Sequence, residues 1–224
     1  MMLLALLALV ACTENLCDTV EALPEGGDVL AIGDSLLAWK APRCQSVPDH
    51  LAMTRGRKVT NRAINGTRVL DGGDAIPAQY SPDGWAWVIV DGGGNDLNSS
   101  CDCENCDFLL DQIVSEDGST GDMPDLVDRV VGDGAQVMLL GYYLLPENAR
   151  YGFAECRDSE FPELFVRYEA LASARDGVTF VNLGEVMDPT STPEAYDNDH
   201  LHPSPEGAAL LGALLAEKLA EATP

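Results

Sequence analysis

Asp28-Val29-Leu30-Ala31-Ile32-Gly33-Asp34-Ser35-Leu36 is the stretch from which the fold can be read. Its apolar residues run without alternation, the pattern of a strand covered on both faces, and Gly33 stops it. Ser35 belongs to the residue types that cap helices, and Leu36 to Lys40 reads as the helix that follows. Working outward, the same strand pattern returns at Trp85 to Val90, ending in Asp91-Gly92-Gly93-Gly94. It returns again at Gln136 to Tyr142 and Val178 to Leu183, and more weakly at Lys58 to Ala63. Helical stretches lie between the strands, at Phe108 to Ser115, Pro124 to Val131 and Phe161 to Ala174. The clearest helix is the last, Ser204 to Ala222. Ser204 is placed to cap it, Pro205 suits its first position, and Leu210, Leu211, Leu214, Leu215 and Leu219 recur at helical spacing. Strands alternating with helices predict an α/β protein: a three-layer α/β/α sandwich around a central, mostly parallel five-stranded sheet, of the doubly wound kind. No repeat or linker divides it, and residues 28–224 are expected to form one domain.

Thirteen basic residues stand against thirty-seven acidic ones, a formal charge of −24. With no basic run to neutralise phosphates, the chain is not expected to bind nucleic acid, and its field disfavours anionic surfaces and substrates. Met1 to Ala11 is uncharged, almost wholly apolar and too short to span a bilayer, which fits the core of a signal peptide. Leu9-Val10-Ala11-Cys12 resembles a bacterial lipobox, although no Lys or Arg precedes the apolar run. That resemblance implies cleavage after residue 11, lipidation of Cys12 and a membrane tether, with residues 12–27 as a polar leader. The expected location is the bacterial cell envelope as a periplasm-facing lipoprotein, with secretion as the alternative. Six further cysteines remain: Cys17, Cys44, Cys101, Cys103, Cys106 and Cys156. An even number in an exported chain predicts up to three disulfides. Cys101, Cys103 and Cys106 are spaced closely enough to suggest zinc, but no second CxxC or nearby His completes a set of four ligands, so no metal is expected.

In open parallel sheets, sites form at the carboxyl ends of the strands. Three such places carry residue types that hydrolysis uses. Gly33-Asp34-Ser35 lifts a hydroxyl at a strand-to-helix turn, where helix N–H groups favour developing negative charge. Asn95, in Gly93-Gly94-Asn95-Asp96, is a candidate amide donor to an oxyanion. Asp199-His200-Leu201-His202-Pro203 sets a carboxylate three residues from an imidazole, able to fix its tautomer while the other ring nitrogen faces a nucleophile. Taken singly, Ser35 is an ordinary helix cap, Asn95 and Asp96 ordinary turn residues, and Asp199 with His202 an ordinary polar pair. Their conjunction is what points to chemistry. The triple glycine lacks the residues that make a phosphate loop, and no GxSxG elbow occurs.

In these blocks the chain resembles the SGNH or GDSL serine hydrolases. Gly33-Asp34-Ser35-Leu36, Gly66 in Asn65-Gly66-Thr67, Gly93-x-Asn95-Asp96 and Asp199-x-x-His202 stand in that family's order. The resemblance implies Ser35 as nucleophile, His202 as general base and Asp199 as its orienting carboxylate. It also implies an oxyanion hole of the Ser35 and Gly66 N–H groups with the Asn95 amide. The implied reaction is carboxylic ester hydrolysis through an acyl-enzyme, without metal or organic cofactor. Lipid esters, thioesters, aryl esters and acetylated glycans are the implied substrates. Asp34 belongs to the motif without a chemical role of its own. Asp197-x-x-His200 is a second match to the last block, but only His202 is followed by proline and then the final helix. The competing reading is an inactive envelope lipoprotein that binds glycan or lipid in a hydrolase-like cleft.

Overall fold

The computed structural model describes residues 16–70, 75–101 and 105–222. The proposed signal peptide, the Cys12 lipidation site and Cys103 lie outside the described residues. Five parallel strands form one sheet: β1 (Val29–Ile32), β2 (Thr60–Asn61), β3 (Trp87–Val90), β4 (Gln136–Gly141) and β5 (Val178–Asn182), in the order β2-β1-β3-β4-β5. Register pairs Ala31 with Ile89 and Ile89 with Met138, and β1 and β3 are buried along their whole length. The five expected strands are all present. The weakest of them, expected over residues 58–63, shrinks to two residues at the sheet edge, where one neighbour fewer orders the backbone.

From β1 the chain steps outward to β2, and from β3 it steps the other way through β4 to β5. With right-handed crossovers, that reversal places the connecting helices on opposite faces. On one face α3 (Val47–Arg55) packs against the terminal helix α9 (Pro205–Ala222). A methyl group on Gly212 would come within 2.7 Å of the Leu51 backbone nitrogen, so this contact is close enough to require glycine. On the other face lie α6 (Asp122–Gly132) and α8 (Glu160–Ser173), packed on β4 and β5, with α5 (Asp107–Ile113) beside α6. Four short helices complete the set among the described residues: α1 (Leu16–Glu21), α2 (Ser35–Ala38), α4 (Gly94–Ser100) and α7 (Phe153–Cys156).

Of these, α1, α3, α4 and α7 have no counterpart in the expected helices. For α3 a signal was there to be read, since Ser46 and Asp49 form a capping box, each side chain bonded to the other's backbone N–H. Residues 16–27, expected to be a polar leader, are tied to the domain by the Cys17–Cys44 disulfide and by the Lys58 N–H bonded to Pro24 O. Cys101 is bonded to Cys106, and Cys156 is also in a disulfide. The Cys101–Cys106 bond uses two of the three thiolates that a zinc site would have taken. Disulfides place the folded domain in an oxidising compartment. No helix among the described residues is long and apolar enough to cross a membrane.

Candidate active site

The reversal of strand order falls between β1 and β3, and in open α/β sheets that switch point opens a crevice at the carboxyl ends of the two strands. The Gly33 turn leaves β1 there, and the glycine run leaves β3. Gly33 has φ 151°, and a Cβ on it would meet Asp91 Oδ1 at 1.4 Å, so only glycine fits. Its carbonyl accepts hydrogen bonds from Gln79 Nε2 and Thr67 Oγ1, both at 2.9 Å, and its N–H donates to Gln79 Oε1 at 2.7 Å. The turn is therefore rigid where it presents Ser35 as the first residue of α2.

Ser35 Oγ lies 2.9 Å from His202 Nε2, and His202 Nδ1 lies 2.7 Å from Asp199 Oδ2. The other Asp199 oxygen accepts the backbone N–H groups of Leu201 and His202, each at 3.0 Å. Burial alone would raise the Asp199 pKa; the hydrogen bonds from His202 and the two N–H groups outweigh it and hold the carboxyl below its ordinary value. The loop is fixed at both ends. Tyr143 Oη donates to Leu201 O, and Ser204 Oγ, which opens α9, accepts the Gly207 N–H at 3.1 Å. The alternative pair Asp197 and His200 is employed differently: Asp197 accepts from the Trp39 indole and the Lys40 ammonium.

Asn95 sits in the first turn of α4. Its Nδ2 donates to Asp34 Oδ2 at 3.1 Å and to Thr67 O at 3.0 Å, so both amide hydrogens are engaged. Donation to an oxyanion therefore requires one of these bonds to be shared or released. Gly66, at φ 76°, is exposed and directly precedes Thr67, whose backbone and side chain bond to Asn95 and Gly33. Asp96, the last residue of the Gly-x-Asn-Asp block, is buried and accepts the Val69 and Leu70 N–H groups at 2.9 and 3.0 Å. It pins the segment that carries Gly66 to α4.

Asp34, for which the motif alone offered no role, organises this corner. Its Oδ1 caps α2 by accepting the Leu36 N–H at 2.9 Å, and its Oδ2 accepts both the Asn95 amide and the Tyr142 hydroxyl, the latter at 2.7 Å. The Tyr142 oxygen in turn accepts the Gly94 N–H. Tyr142 stands just past the end of β4, and no motif marks it. Beneath Asp34 lies Asp91, fully buried, accepting the Asp34 N–H at 3.1 Å while its Oδ2 has no partner among the described residues. Burial, and then the proximity of Asp34, raise the Asp91 pKa well above its ordinary value. A carboxyl raised in the folded state stabilises the fold fully below its unfolded pKa, and that contribution is lost as pH rises toward the folded value. Asp91→Asn removes the ionisable group, so its thermal midpoint is expected to gain on the wild type between pH 4 and pH 8. The gain is expected to be a few degrees, at about 2–4 °C per kcal/mol for a domain of this size. Melts at a series of pH values check this, and parallel curves would refute it.

A cavity of about 20 Å³ opens beside Ser35, Asn95 and His202, walled by Leu145, Phe153, Phe161 and Leu201. Leu36 also reaches it, Leu37 is core, and Trp39 lies against His202.

With the geometry in place, the chain can be set beside known proteins. The model of the GDSL-like lipase/acylhydrolase family matches residues 31–210. The chain belongs to that family. Esterase or acylhydrolase activity in general follows from membership in the GDSL-like family. Solved structures agree on the fold. A carbohydrate acetylesterase from Sinorhizobium meliloti superposes with TM-score 0.63 at 19% identity, over 87% of this chain and 98% of its own. A lipase/acylhydrolase from Enterococcus faecalis superposes with TM-score 0.62 at 18% identity, over 87% and 95%. A comparison with curated protein sequences finds no match. The GDSL-like match spans all four blocks read from the sequence, from the Gly33 turn to His202.

Proposed function

We propose that this protein hydrolyses carboxylic esters through an acyl-enzyme, with Ser35 as nucleophile, His202 as general base and Asp199 as the carboxylate that orients it. The observation that carries the reading is the in-line contact from Ser35 Oγ through both nitrogens of His202 to Asp199, at 2.9 and 2.7 Å. The Ser35 proton passes to Nε2 as the Oγ–carbonyl carbon bond forms, and the Asp199 carboxylate stabilises the resulting imidazolium. The negative charge that develops on the carbonyl oxygen is met by the Ser35 and Gly66 N–H groups, which make no other hydrogen bond among the described residues, and by the Asn95 amide. Removing one such donor typically costs about 10²–10³ in turnover. The imidazolium then protonates the departing alkoxide. Water attacks the acyl-enzyme carbonyl and gives its proton to the same nitrogen; the acyl carbon–Oγ bond then breaks, the imidazolium returns that proton to Ser35 Oγ, and the acid is released. No metal or organic cofactor enters any step.

The apolar cavity beside Ser35 supports a short acyl group. Its 20 Å³ compares with the roughly 10–15 Å³ that one water needs, which suits a methyl-sized group. The charge of −24 favours neutral or cationic alcohols over anionic ones. A series of p-nitrophenyl esters tests the reading: kcat/KM is expected to be highest for acetate and to fall at least about tenfold by octanoate, with Ser35→Ala inactive throughout. Equal rates across the series would remove the short-acyl assignment. Export rests on Met1 to Ala11 and on the disulfides, and a tether through Cys12 would hold the enzyme close to envelope lipids and glycans.

A further inference from the structure

Trp39 lies flat on His202, with ring centroids 3.9 Å apart and the planes 9° from parallel. The indole is itself held. Its Nε1–H donates to Asp197 Oδ2 at 2.9 Å, and the same oxygen accepts the Lys40 ammonium at 2.8 Å. Trp39 is the residue that ends α2, and Lys40 after it adopts φ 59°, a left-handed turn that side chains rarely take. The ion pair and the indole bond are what that turn secures. Burial alone would raise the Asp197 pKa, but hydrogen bonds from Lys40 and Trp39 outweigh it and hold it at about 2, so the clamp is charged wherever an esterase works.

In-plane contacts at Nδ1 and Nε2 leave the imidazole able to tilt through small changes in its χ1 and χ2 torsions. A flat partner limits that tilt. An indole face also carries negative quadrupole charge and attracts a cation lying over it. We propose that Trp39 is a positioning residue for His202, keeping its plane aligned between Ser35 and Asp199 and stabilising the imidazolium that forms when Ser35 gives up its proton, with Asp197 and Lys40 as the clamp. The inference rests on the acyl-transfer reading of Ser35 and His202. It also gives a use to Asp197, the residue that made the last motif ambiguous.

The titratable groups around the ring are Asp199 and Asp197 on its own loop, Lys40 beside Trp39, Asp34 below Ser35, and Tyr143 from the segment after β4. Lys40 would oppose a second cation, but it is paired with Asp197. Burial raises the Tyr143 hydroxyl well above its ordinary range, and it stays neutral.

Two variants separate the ring face from mere packing. Trp39→Leu keeps an apolar cover and removes the π face, whereas Trp39→Phe keeps a weaker face. In Trp39→Leu, kcat is expected to fall about tenfold with KM within twofold, and the midpoint of the acidic limb of kcat/KM to move down by about half to one pH unit. Trp39→Phe is expected to fall between Leu and the wild type on both measures. The same order of midpoints is expected from an NMR titration of the His202 ring, which is resolved among only three histidines and needs no turnover. A midpoint unchanged in Trp39→Leu, or Trp39→Phe indistinguishable from Trp39→Leu, would overturn the proposal. Loss of the acyl-transfer reading would show instead as activity that survives Ser35→Ala.

Discussion

Ser35→Ala is expected to lower kcat on p-nitrophenyl acetate by about 10⁴–10⁶-fold, with the circular dichroism spectrum unchanged. The hydroxyl is the only atom lost, and its partner in the fold is His202 Nε2. The turn that presents it is held by Gly33, Gln79, Thr67 and the Asp34 cap, through hydrogen bonds that do not involve Ser35 Oγ. Stability should therefore change little while chemistry stops. The remaining rate over water would come from the oxyanion donors. Equal turnover by the variant and the wild type would remove Ser35 as nucleophile. A wild type that turns over no ester would favour the reading as a non-hydrolytic glycan- or lipid-binding lipoprotein.

The second large effect separates two histidines that lie two residues apart. His202→Ala is expected to cost kcat about as much as Ser35→Ala, because the two act as a unit, whereas His200→Ala should keep kcat within about threefold. His200 bonds through its backbone N–H to Asp197 O and holds φ 56°, a conformation more readily adopted by His than by Ala. The price of that substitution is expected in stability, about 0.5–1 kcal/mol or roughly 1–4 °C in thermal midpoint. Steady-state kinetics and a melt on each variant decide the matter. Activity lost in His200→Ala and kept in His202→Ala would transfer the dyad to Asp197 and His200.

Much of the sheet was legible because its signal is local. Val29 to Ile32 and Trp87 to Val90 are continuous apolar runs, and such runs are stable only with helices on both faces. The final helix announced itself by its serine, its proline and its leucine spacing. The helix α4 did not, since Gly94–Ser100 has Leu97 as its only large apolar residue. It is helical because Asp96 is drawn into bonds with Val69 and Leu70 and Gly94 into a bond with Tyr142, partners that are near only after folding.

The same division runs through the site. Local sequence was enough to identify Ser35, Asn95, Asp199 and His202 as candidates and to order them along the strands, because turn and cap chemistry belongs to adjacent residues. It favoured Asp199 with His202 over Asp197 with His200 only through the proline and helix that follow, and it gave Asp34 and Tyr142 no task. The tertiary structure decided the contacts: His202 meets Ser35, and Asp34 accepts the Tyr142 hydroxyl. Ser35 and His202 are 167 residues apart in the chain and 2.9 Å apart in the fold, and the register of β1 against β3 with the docking of α9 on α3 sets that distance. A hydrogen bond depends on tenths of an ångström between separate loops, and no pattern within one segment encodes the placement of another.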